Sequence, residues 1–264
     1  MFFIQKAVLF LLFVGCALMS SINSQPIYNY HFCEDQSNNS SDPSFESNLT
    51  VLLGSLSSKA SQNISFYNDT SNGIYGLFLC RGDVNTSTCQ SCVSYATQDI
   101  ISRCPSKRTA IIWFDPCMLR YSDANFFGVE QTSPAVTLFN VRDRNSPNIT
   151  DFGGQSLMNG LIDLAIGTEI LYQADIWSGN TKALELRYGL VPCTRDIDST
   201  SCADCLGQLM TQAKNCCEEK IGWRVLAPSC NIRYENYSFF EQPTVPPPPL
   251  PDTGKTSSTF LVPA

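Results

Sequence analysis

Apolar residues recur at helical spacing in the first quarter of the chain. Asp42, Pro43 and Ser44 supply the start signal of a helix, because a capping acid and a proline both suit the first turn. The apolar residues that follow are spaced by three or four positions: Phe45, Leu49, Leu52, Leu53 and Leu56. This spacing gives one apolar face and predicts an amphipathic helix.

A second helix and three strands are predicted further along. The helix begins near residues 86–88 and carries Cys89 and Cys92 on one face. Its core-facing apolar residues are Val93, Ala96 and Ile100. The strands are short runs rich in apolar, β-branched and aromatic residues, at 74–80, 109–114 and 117–121.

The chain repeats itself at an offset of 113 residues. Five cysteines recur in register: Cys80, Cys89, Cys92, Cys104 and Cys117 correspond to Cys193, Cys202, Cys205, Cys217 and Cys230. Their neighbours recur too, residues 75–77 as 188–190, 120–121 as 233–234 and 126–127 as 239–240. Chance is a poor explanation for five cysteines in register, so the chain contains two copies of one domain.

This repeat determines the predicted fold. We predict an α+β architecture of two tandem copies, residues 27–129 and 136–241, with a connector near residues 131–134. Each copy has two helices packed on an antiparallel sheet and is stapled by disulfides. In the second copy, where the offset slips by a residue or more, the first helix carries Leu157, Leu161, Leu164 and Ala165. A strand at 188–193 and a helix at 201–214 follow, and a solenoid is excluded because it needs three or more short repeats.

The N-terminal segment is typical of a secretory signal. A short, weakly positive start leads into an apolar run at residues 7–19, which is too short for a comfortable membrane span. We predict that residues 1–24 are removed and that Gln25 becomes the mature N-terminus; the alternative is an uncleaved anchor. Removing Cys16 and Lys6 lowers the cysteine count from 13 to 12 and changes the net charge from −7 to −8.

Composition narrows the function classes. Thirteen cysteines indicate an oxidising compartment in which cysteines pair, and 43% hydrophobic residues suffice for a core. A net charge of −7 argues against a nucleic-acid partner, because few cations are present to neutralise phosphates. His31 is the single histidine, which excludes catalytic schemes that need two imidazoles.

Glycosylation sequons are frequent, which suits a secreted glycoprotein. Eight Asn-x-Ser/Thr sequons begin at Asn38, Asn39, Asn48, Asn63, Asn68, Asn85, Asn148 and Asn236.

Each copy contains the spacing Cys-x8-Cys-x2-Cys, formed by Cys80, Cys89 and Cys92 and by Cys193, Cys202 and Cys205. A Cys-x2-Cys pair alone also suits zinc binding or thiol exchange. Zinc is disfavoured because the first copy has no second close pair at ligand spacing. Redox exchange is disfavoured because an upstream cysteine offers a structural partner. We therefore predict structural disulfides, no metal site and no cofactor.

Two tandem copies of this motif behind a signal peptide resemble a plant family. The chain is similar to the cysteine-rich repeat secretory proteins and to the extracellular part of cysteine-rich receptor-like kinases, both built from two ginkbilobin-like, stress-antifungal domains. Besides the cysteine motifs, the matching stretches are residues 28–33 (YNYHFC), 188–190 (YGL), 216–217 (CC) and 233–235 (RYE). In this resemblance His31 precedes a bridged cysteine and is a packed or surface residue, not a catalytic one.

The resemblance implies a disulfide pairing. In the first copy it pairs Cys80 with Cys89, Cys92 with Cys117 and Cys33 with Cys104, and in the second it pairs Cys193 with Cys202 and Cys205 with Cys230. The second copy lacks a counterpart of Cys33, so Cys216 and Cys217 are left over. A strained vicinal bridge, two free thiols and a bridge to another chain all stay open for them.

The resemblance also implies a ligand site. Ginkbilobin binds mannose through an asparagine after the first cysteine, an arginine six residues before the last cysteine and a glutamate five residues after it. The corresponding residues of the first copy are Glu34, Ile111 and Ser122, which do not supply the set. The second copy has Arg224 and Glu235, and Asn140, Asn145 and Asn148 are candidates for the asparagine. The competing interpretation makes Arg224 and Glu235 a cross-strand surface pair.

The last residues, 242–264, form a proline-rich tail typical of an extended spacer. In the receptor-like kinases such a spacer precedes a membrane helix and a kinase domain. The six weakly apolar residues at the end are too few to span a bilayer, and kinase motifs do not occur, so we expect a secreted protein or a receptor ectodomain.

Together these features predict a secreted, non-enzymatic binding module of the plant apoplast, acting in defence or stress signalling through glycan (lectin-like) or protein recognition, with antifungal activity as a further expectation. No nucleic acid and no membrane-spanning segment in the mature chain are expected. Two alternatives stay open. One is a structural or interaction protein that packs against an extracellular or membrane-bound partner, and the other is a thiol oxidoreductase that uses Cys216 and Cys217 or a Cys-x2-Cys pair.

Overall fold

The computed structural model describes residues 25–34, 42–144, 151–179 and 186–241. The predicted signal segment, the sequons at Asn38, Asn39 and Asn148, and the proline-rich tail lie outside these residues. Within them the chain forms four helices and ten strands, divided equally between two domains.

Domain 1 consists of five strands and two helices. In chain order they are β1 (Tyr28–Cys33), α1 (Pro43–Ala60), β2 (Phe66–Ser71), β3 (Ile74–Cys80), α2 (Thr86–Arg103), β4 (Thr109–Phe114) and β5 (Cys117–Ser122). The sheet order is β1-β4-β5-β3-β2, and each neighbouring pair is antiparallel.

Domain 2 repeats this arrangement. Its elements are β6 (Val136–Phe139), α3 (Phe152–Ala165), β7 (Tyr172–Ser178), β8 (Leu186–Pro192), α4 (Ser199–Cys217), β9 (Trp223–Leu226) and β10 (Asn231–Glu235). The antiparallel sheet has the order β6-β9-β10-β8-β7, which is the order of domain 1 with each strand replaced by its counterpart. The predicted α+β fold, with two helices on an antiparallel sheet in each copy, is confirmed.

Side-chain caps start the helices. The carboxylate of Asp42 accepts hydrogen bonds from the N–H groups of Ser44 and Phe45, and Asn85 caps α2 through the N–H of Thr88. Asp151 and Asp198 cap α3 and α4 in the same way. Each cap satisfies a backbone donor that the first helical turn leaves without a partner.

Both faces of the domain 1 sheet are apolar. One face packs against α1 and α2, where Leu52, Leu56 and Phe78 are fully buried. The opposite face carries a second cluster, which includes Trp113 and Phe126 and extends to Leu226 of domain 2. The second apolar face of the domain 1 sheet is also removed from water, and contact with domain 2 contributes to its burial.

The described residues form six disulfides, and five of them are the bridges that the resemblance implies: Cys33–Cys104, Cys80–Cys89, Cys92–Cys117, Cys193–Cys202 and Cys205–Cys230. The sixth joins the adjacent residues Cys216 and Cys217 at the end of α4, so the vicinal alternative is the one observed. Cys217 is buried and Cys216 is exposed.

Candidate functional site

The two domains meet in an approximately two-fold arrangement. After the last strand of each domain the chain crosses to the other domain, where the N–H of Gly128 donates to Asp196 (3.3 Å) and the N–H of Glu241 donates to Asp83 (2.8 Å). The 113-residue repeat relates Gly128 to Glu241 and Asp83 to Asp196. These two contacts are therefore equivalent, and each domain anchors the end of the other.

Asp115 of domain 1 joins two arginines of domain 2. Its carboxylate accepts hydrogen bonds from Arg224 (2.7 Å) and from Arg233 (3.3 Å). Burial favours a raised pKa for Asp115, but the charges of Arg233 and Arg224 outweigh it and hold the pKa below its ordinary value. The carboxylate is therefore ionised and neutralises part of the buried positive charge.

Arg120, the counterpart of Arg233, has no such partner. The residue that corresponds to Asp115 is Pro228, which offers no carboxylate. Arg120 is 5% exposed, its guanidinium stacks 3.8 Å from the ring centre of Phe126, and it bonds to the side chain of Gln131. Burial lowers the pKa of Arg120 to about 10, although the charge of Asp196 opposes this shift. Charge at the interface is thus asymmetric although the fold is two-fold.

A cleft of about 270 Å³ opens at the edge of this interface. Its walls include four aromatic rings, those of Tyr28, Phe139, Trp223 and Tyr237. The rings of Phe139 and Tyr237 are exposed, at 53% and 48%. Exposed rings beside convergent polar groups are typical of a ligand site, and we call this feature the aromatic cleft.

Arg224 and Glu235, the two residues that match the mannose set, both line the aromatic cleft. The Nη2 atom of Arg224 lies 3.8 Å from Oε1 of Glu235, and its Nη1 atom donates to Asn29 of domain 1 at 2.6 Å. Glu235 is only 6% exposed and also accepts a hydrogen bond from Arg233. The two residues do form an ion pair, but the interpretation as a surface pair is wrong because the pair belongs to a buried network.

A glycine makes room for this carboxylate. A Cβ atom at Gly222 would lie 2.1 Å from Oε2 of Glu235. The carboxylate of Glu235 therefore lies against the backbone just before β9, and a side chain at position 222 would displace it from this position.

Strand register indicates which asparagine completes the set. Cys33 pairs with Ala110 in domain 1, and Phe139 pairs with Trp223, the counterpart of Ala110, in domain 2. Phe139 thus stands where the missing first cysteine would be, and Asn140 is the residue that follows it. Asn140 also lines the aromatic cleft, whereas Asn145 and Asn148 lie outside the described residues.

Domain 1 does not reproduce this donor and acceptor set. Glu34 is exposed, Ile111 is 1% exposed within the sheet, and Ser122 is 4% exposed and bonded to the hydroxyl of Thr109. An apolar Ile111 in place of Arg224 removes the charged donor. The complete donor and acceptor set is therefore confined to domain 2.

Sequence reasoning missed the residues that domain 1 contributes to this site. Asn29 and Tyr28 line the aromatic cleft from β1, and Asp115 orients Arg224 from the turn between β4 and β5. No periodicity or spacing signals these contacts, since they join residues of different domains.

The two cysteines of each Cys-x2-Cys pair are not bonded to each other. Cys89 bridges to Cys80 and Cys92 to Cys117, so the two sulfurs of this Cys-x2-Cys do not form the disulfide of a redox motif. Within the described ranges the one group at metal-ligand distances is His31, Cys33 and Cys104, in which both sulfurs already share a disulfide.

His31 lies on β1, half-buried between the rings of Tyr28 and Tyr30. Its Nδ1 atom is hydrogen-bonded to the hydroxyl of Tyr28. Burial and the nearby charge of Arg103 lower the pKa of His31. The ring is packed, as the resemblance implies.

The described sequons are accessible to different degrees. Asn63, Asn85 and Asn236 are exposed, and Asn48 and Asn68 are half-buried. Asn236 adjoins Glu235 and Tyr237, so a glycan there would stand beside the aromatic cleft.

Comparison with known proteins identifies the family. The sequence profile of the family described as salt stress response/antifungal matches residues 32–124 and 155–237, one segment in each domain. The chain belongs to this family. Members of the salt stress response/antifungal family similar to it include the antimicrobial ginkbilobin-2-like protein of Castanea crenata, 36% identical over 80% of this chain and 88% of the relative. Cysteine-rich repeat secretory protein 38 of Arabidopsis thaliana is 36% identical over 80% of this chain and 84% of the relative.

Receptor-like kinases of the same family match over part of their length. The chain is 34% identical to cysteine-rich receptor-like protein kinase 25 of Arabidopsis thaliana over 88% of its own residues and spans 36% of the kinase. Among solved structures, the tandem DUF26 ectodomain of the Arabidopsis thaliana cysteine-rich receptor-like protein PDLP8 has the same fold, with a TM-score of 0.68 and 23% identity over 81% of this chain and all of that one. In the part of this chain that the structure describes, no helix has the length and apolar content needed to cross a bilayer.

Proposed function

We propose that this protein is an extracellular recognition module of the plant apoplast that acts in defence or stress signalling and binds mannose-type glycans in the aromatic cleft of domain 2. One observation carries the proposal: Asn140, Arg224 and Glu235 line the same cleft together with four aromatic rings, although Asn140 lies 84 residues before Arg224 in the sequence. Membership of a stress-response and antifungal family supports the biological context.

The chemistry of the aromatic cleft suits a sugar. An arginine fork and a carboxylate hold vicinal hydroxyl groups through charge-assisted hydrogen bonds, and an asparagine amide both donates and accepts. The rings of Phe139 and Tyr237 offer flat apolar surfaces to the C–H face of a pyranose. Asp115 and Asn29 both accept hydrogen bonds from the Nη1 atom of Arg224. The guanidinium is therefore held in a fixed orientation before the ligand arrives.

The Asn140→Ala variant is expected to weaken mannose binding by about 1 kcal/mol, or roughly fivefold, because one neutral hydrogen-bonding group is lost. Arg224→Ala is expected to weaken it by about 1.5 to 3 kcal/mol, the contribution of a hydrogen bond to a charged group. Asn140→Ala tests the binding site more selectively than Arg224→Ala, because Arg224 also contributes to the stability of the domain interface. Titration calorimetry with methyl α-mannoside measures both effects on protein freed of its Asn-linked glycans.

Glu34→Ala is the matched control, since Glu34 holds the position of Asn140 in domain 1, and binding should be unchanged. If the unmodified protein binds no sugar on a glycan array or at millimolar mannose, the glycan proposal fails. A membrane-bound or extracellular protein partner then becomes the better hypothesis.

A second candidate function is that of a receptor ectodomain. It is supported by the kinase relatives, of which this chain spans 36%. In that role the same aromatic cleft would recognise the ligand, and the response would depend on a kinase domain elsewhere.

A further inference from the structure

Domain 2 contains a second concave site, separate in chemistry from the aromatic cleft. A cavity of about 230 Å³ lies between α3 and α4, and we call it the helix cavity. Its apolar lining consists of Met158, Met210, Ala213, Trp223 and the ring of Tyr234. Polar side chains, among them Gln155 and Asn159, stand at its rim. An apolar interior with a few polar groups at the mouth is the ordinary form of a small-molecule site.

The same place in domain 1 is filled by side chains. The caps Asp42 and Asp151 correspond, so Phe45 of α1 corresponds to Gly154 of α3. The 113-residue repeat relates Ile100 of α2 to Ala213 of α4. Phe45 and Ile100 are 7% and 0% exposed and belong to the domain 1 core, whereas Gly154 and Ala213 line the helix cavity.

At a third position, domain 2 has a larger residue than domain 1, but its side chain fills only part of the cavity. Trp223 replaces Ala110, and its ring stacks on Tyr234 with their centres 5.4 Å apart. The hydroxyl of Tyr234 bonds to Asp151, close to Gly154, where a Cβ atom would lie 2.6 Å from that hydroxyl. The aromatic pair thus occupies part of the space between the helices, and the helix cavity is what remains.

The two carboxylates that line the helix cavity, those of Asp151 and Glu218, already have partners. Asp151 bonds to Tyr234, to the N–H of Gly154 and to Arg187 (3.3 Å). Burial favours a raised pKa for Asp151, but these hydrogen bonds and the charge of Arg187 hold the pKa below its ordinary value. Glu218 accepts a hydrogen bond from Gln155 at 3.0 Å. A cationic ligand would find no unneutralised carboxylate inside, whereas Lys214, which also lines the cavity, can donate a hydrogen bond to a hydroxyl group.

We propose that the helix cavity binds a small, neutral, single-ring aromatic molecule that carries a hydroxyl group. Its ring occupies the space between α3 and α4 that the small residues Gly154 and Ala213 leave, and its hydroxyl reaches the polar rim. Met158 and Met210 supply adaptable thioether contacts to an aromatic ring. The size is adequate, because cavities of about 150 Å³ accept benzene in other proteins.

The test uses benzyl alcohol as the probe and ligand-detected NMR as the measurement, with the glycan-free protein. Ala213→Ile restores the residue of domain 1 and should reduce binding at least tenfold, while mannose binding stays unchanged. Ala203→Ile places the same substitution on α4 outside the cavity lining and should bind benzyl alcohol like the unmodified protein. Benzylammonium, which is cationic and would find no unneutralised carboxylate, should bind at least tenfold more weakly than benzyl alcohol.

A converse variant tests the relation between the two domains. Phe45→Ala should open a second aromatic site and raise the stoichiometry from one to two. If this variant does not fold, the comparison of Ala213→Ile with Ala203→Ile decides alone. Absence of binding to the unmodified protein at 10 mM benzyl alcohol, on the order of the weakest useful affinity, or equal binding by Ala213→Ile, overturns the proposal.

Discussion

The Asp115→Ala variant is expected to lose about 3 kcal/mol of its free energy of unfolding. Removing this carboxylate leaves Arg224 and Arg233 facing each other at the domain interface, where their side chains are 16% and 9% exposed. Breaking a buried ion pair from one side is costly, because the remaining charge stays desolvated. Asp115 itself is 18% exposed, which places the effect at the low end of the range for buried pairs. Denaturant unfolding measures the loss.

The same variant should change how stability depends on pH. Because the folded pKa of Asp115 lies below its ordinary value, its contribution is fully present above the unfolded pKa of about 3.9. That contribution is lost as the pH falls through the folded pKa. The difference in stability between the two proteins should therefore be constant from pH 5 to 7, roughly a unit or more above the unfolded pKa, and should shrink below pH 4.

Two control variants test whether the loss of stability is specific to the ion pairs at the domain interface. Asp99→Ala breaks the i,i+4 pair with Arg103 on the outside of α2 and should cost no more than about 0.5 kcal/mol. Arg120→Met removes the buried arginine that has no facing carboxylate, and stability should stay equal or rise. A loss for Asp115→Ala as small as that for Asp99→Ala would contradict the proposed importance of the interface network.

Replacing both Cys33 and Cys104 by alanine is expected to cost about 4 kcal/mol, the second large effect. This bridge closes a loop of 71 residues, whereas Cys80–Cys89 spans only 9, and the entropy removed from the unfolded chain grows with loop length. It also fastens the edge strand β1 to the end of α2. Thermal and denaturant unfolding of the double variant measure the effect.

The vicinal bridge is the matched control. Cys216 and Cys217 are adjacent, so their bridge closes no loop and restrains little of the unfolded chain. Replacing both by alanine should cost less than about 1 kcal/mol. A similar loss for both pairs would show that loop closure does not explain the contribution of the longer bridge.

Central strands could be predicted from sequence with good accuracy. Strands Ile74–Cys80 and Thr109–Phe114 have the predicted bounds, because both are continuous apolar runs between polar turns. Edge strands were missed. β2 (Phe66–Ser71) contains Asn, Asp, Thr and Ser, and it forms a strand because β3 supplies its hydrogen-bonding partners. Pairing of this kind depends on tertiary contact and leaves little trace in local sequence.

Only part of the candidate site could be predicted before the structure was known. The family resemblance implied Arg224 and Glu235, whose positions it defines relative to Cys230. Asn140 could not be placed in this way, because the cysteine that marks its position in domain 1 is Phe139 in domain 2 and only the pairing with Trp223 restores the correspondence. The helix cavity could not be predicted from the sequence either, since it forms where Gly154 and Ala213 replace two larger side chains of domain 1.

The carboxylate that domain 1 supplies to the two arginines of domain 2 also governs which domains can associate. A pair made of two copies of domain 2 would bring Arg224 and Arg233 of each copy against Pro228 of the other, and the two guanidinium groups of each copy would share Glu235 without the charge that Asp115 supplies. Asp115 makes the mixed pair favourable and that self-pair unfavourable. The two domains have the same fold but cannot replace each other at this interface. Domain 2 therefore associates with domain 1 in preference to a second copy of domain 2.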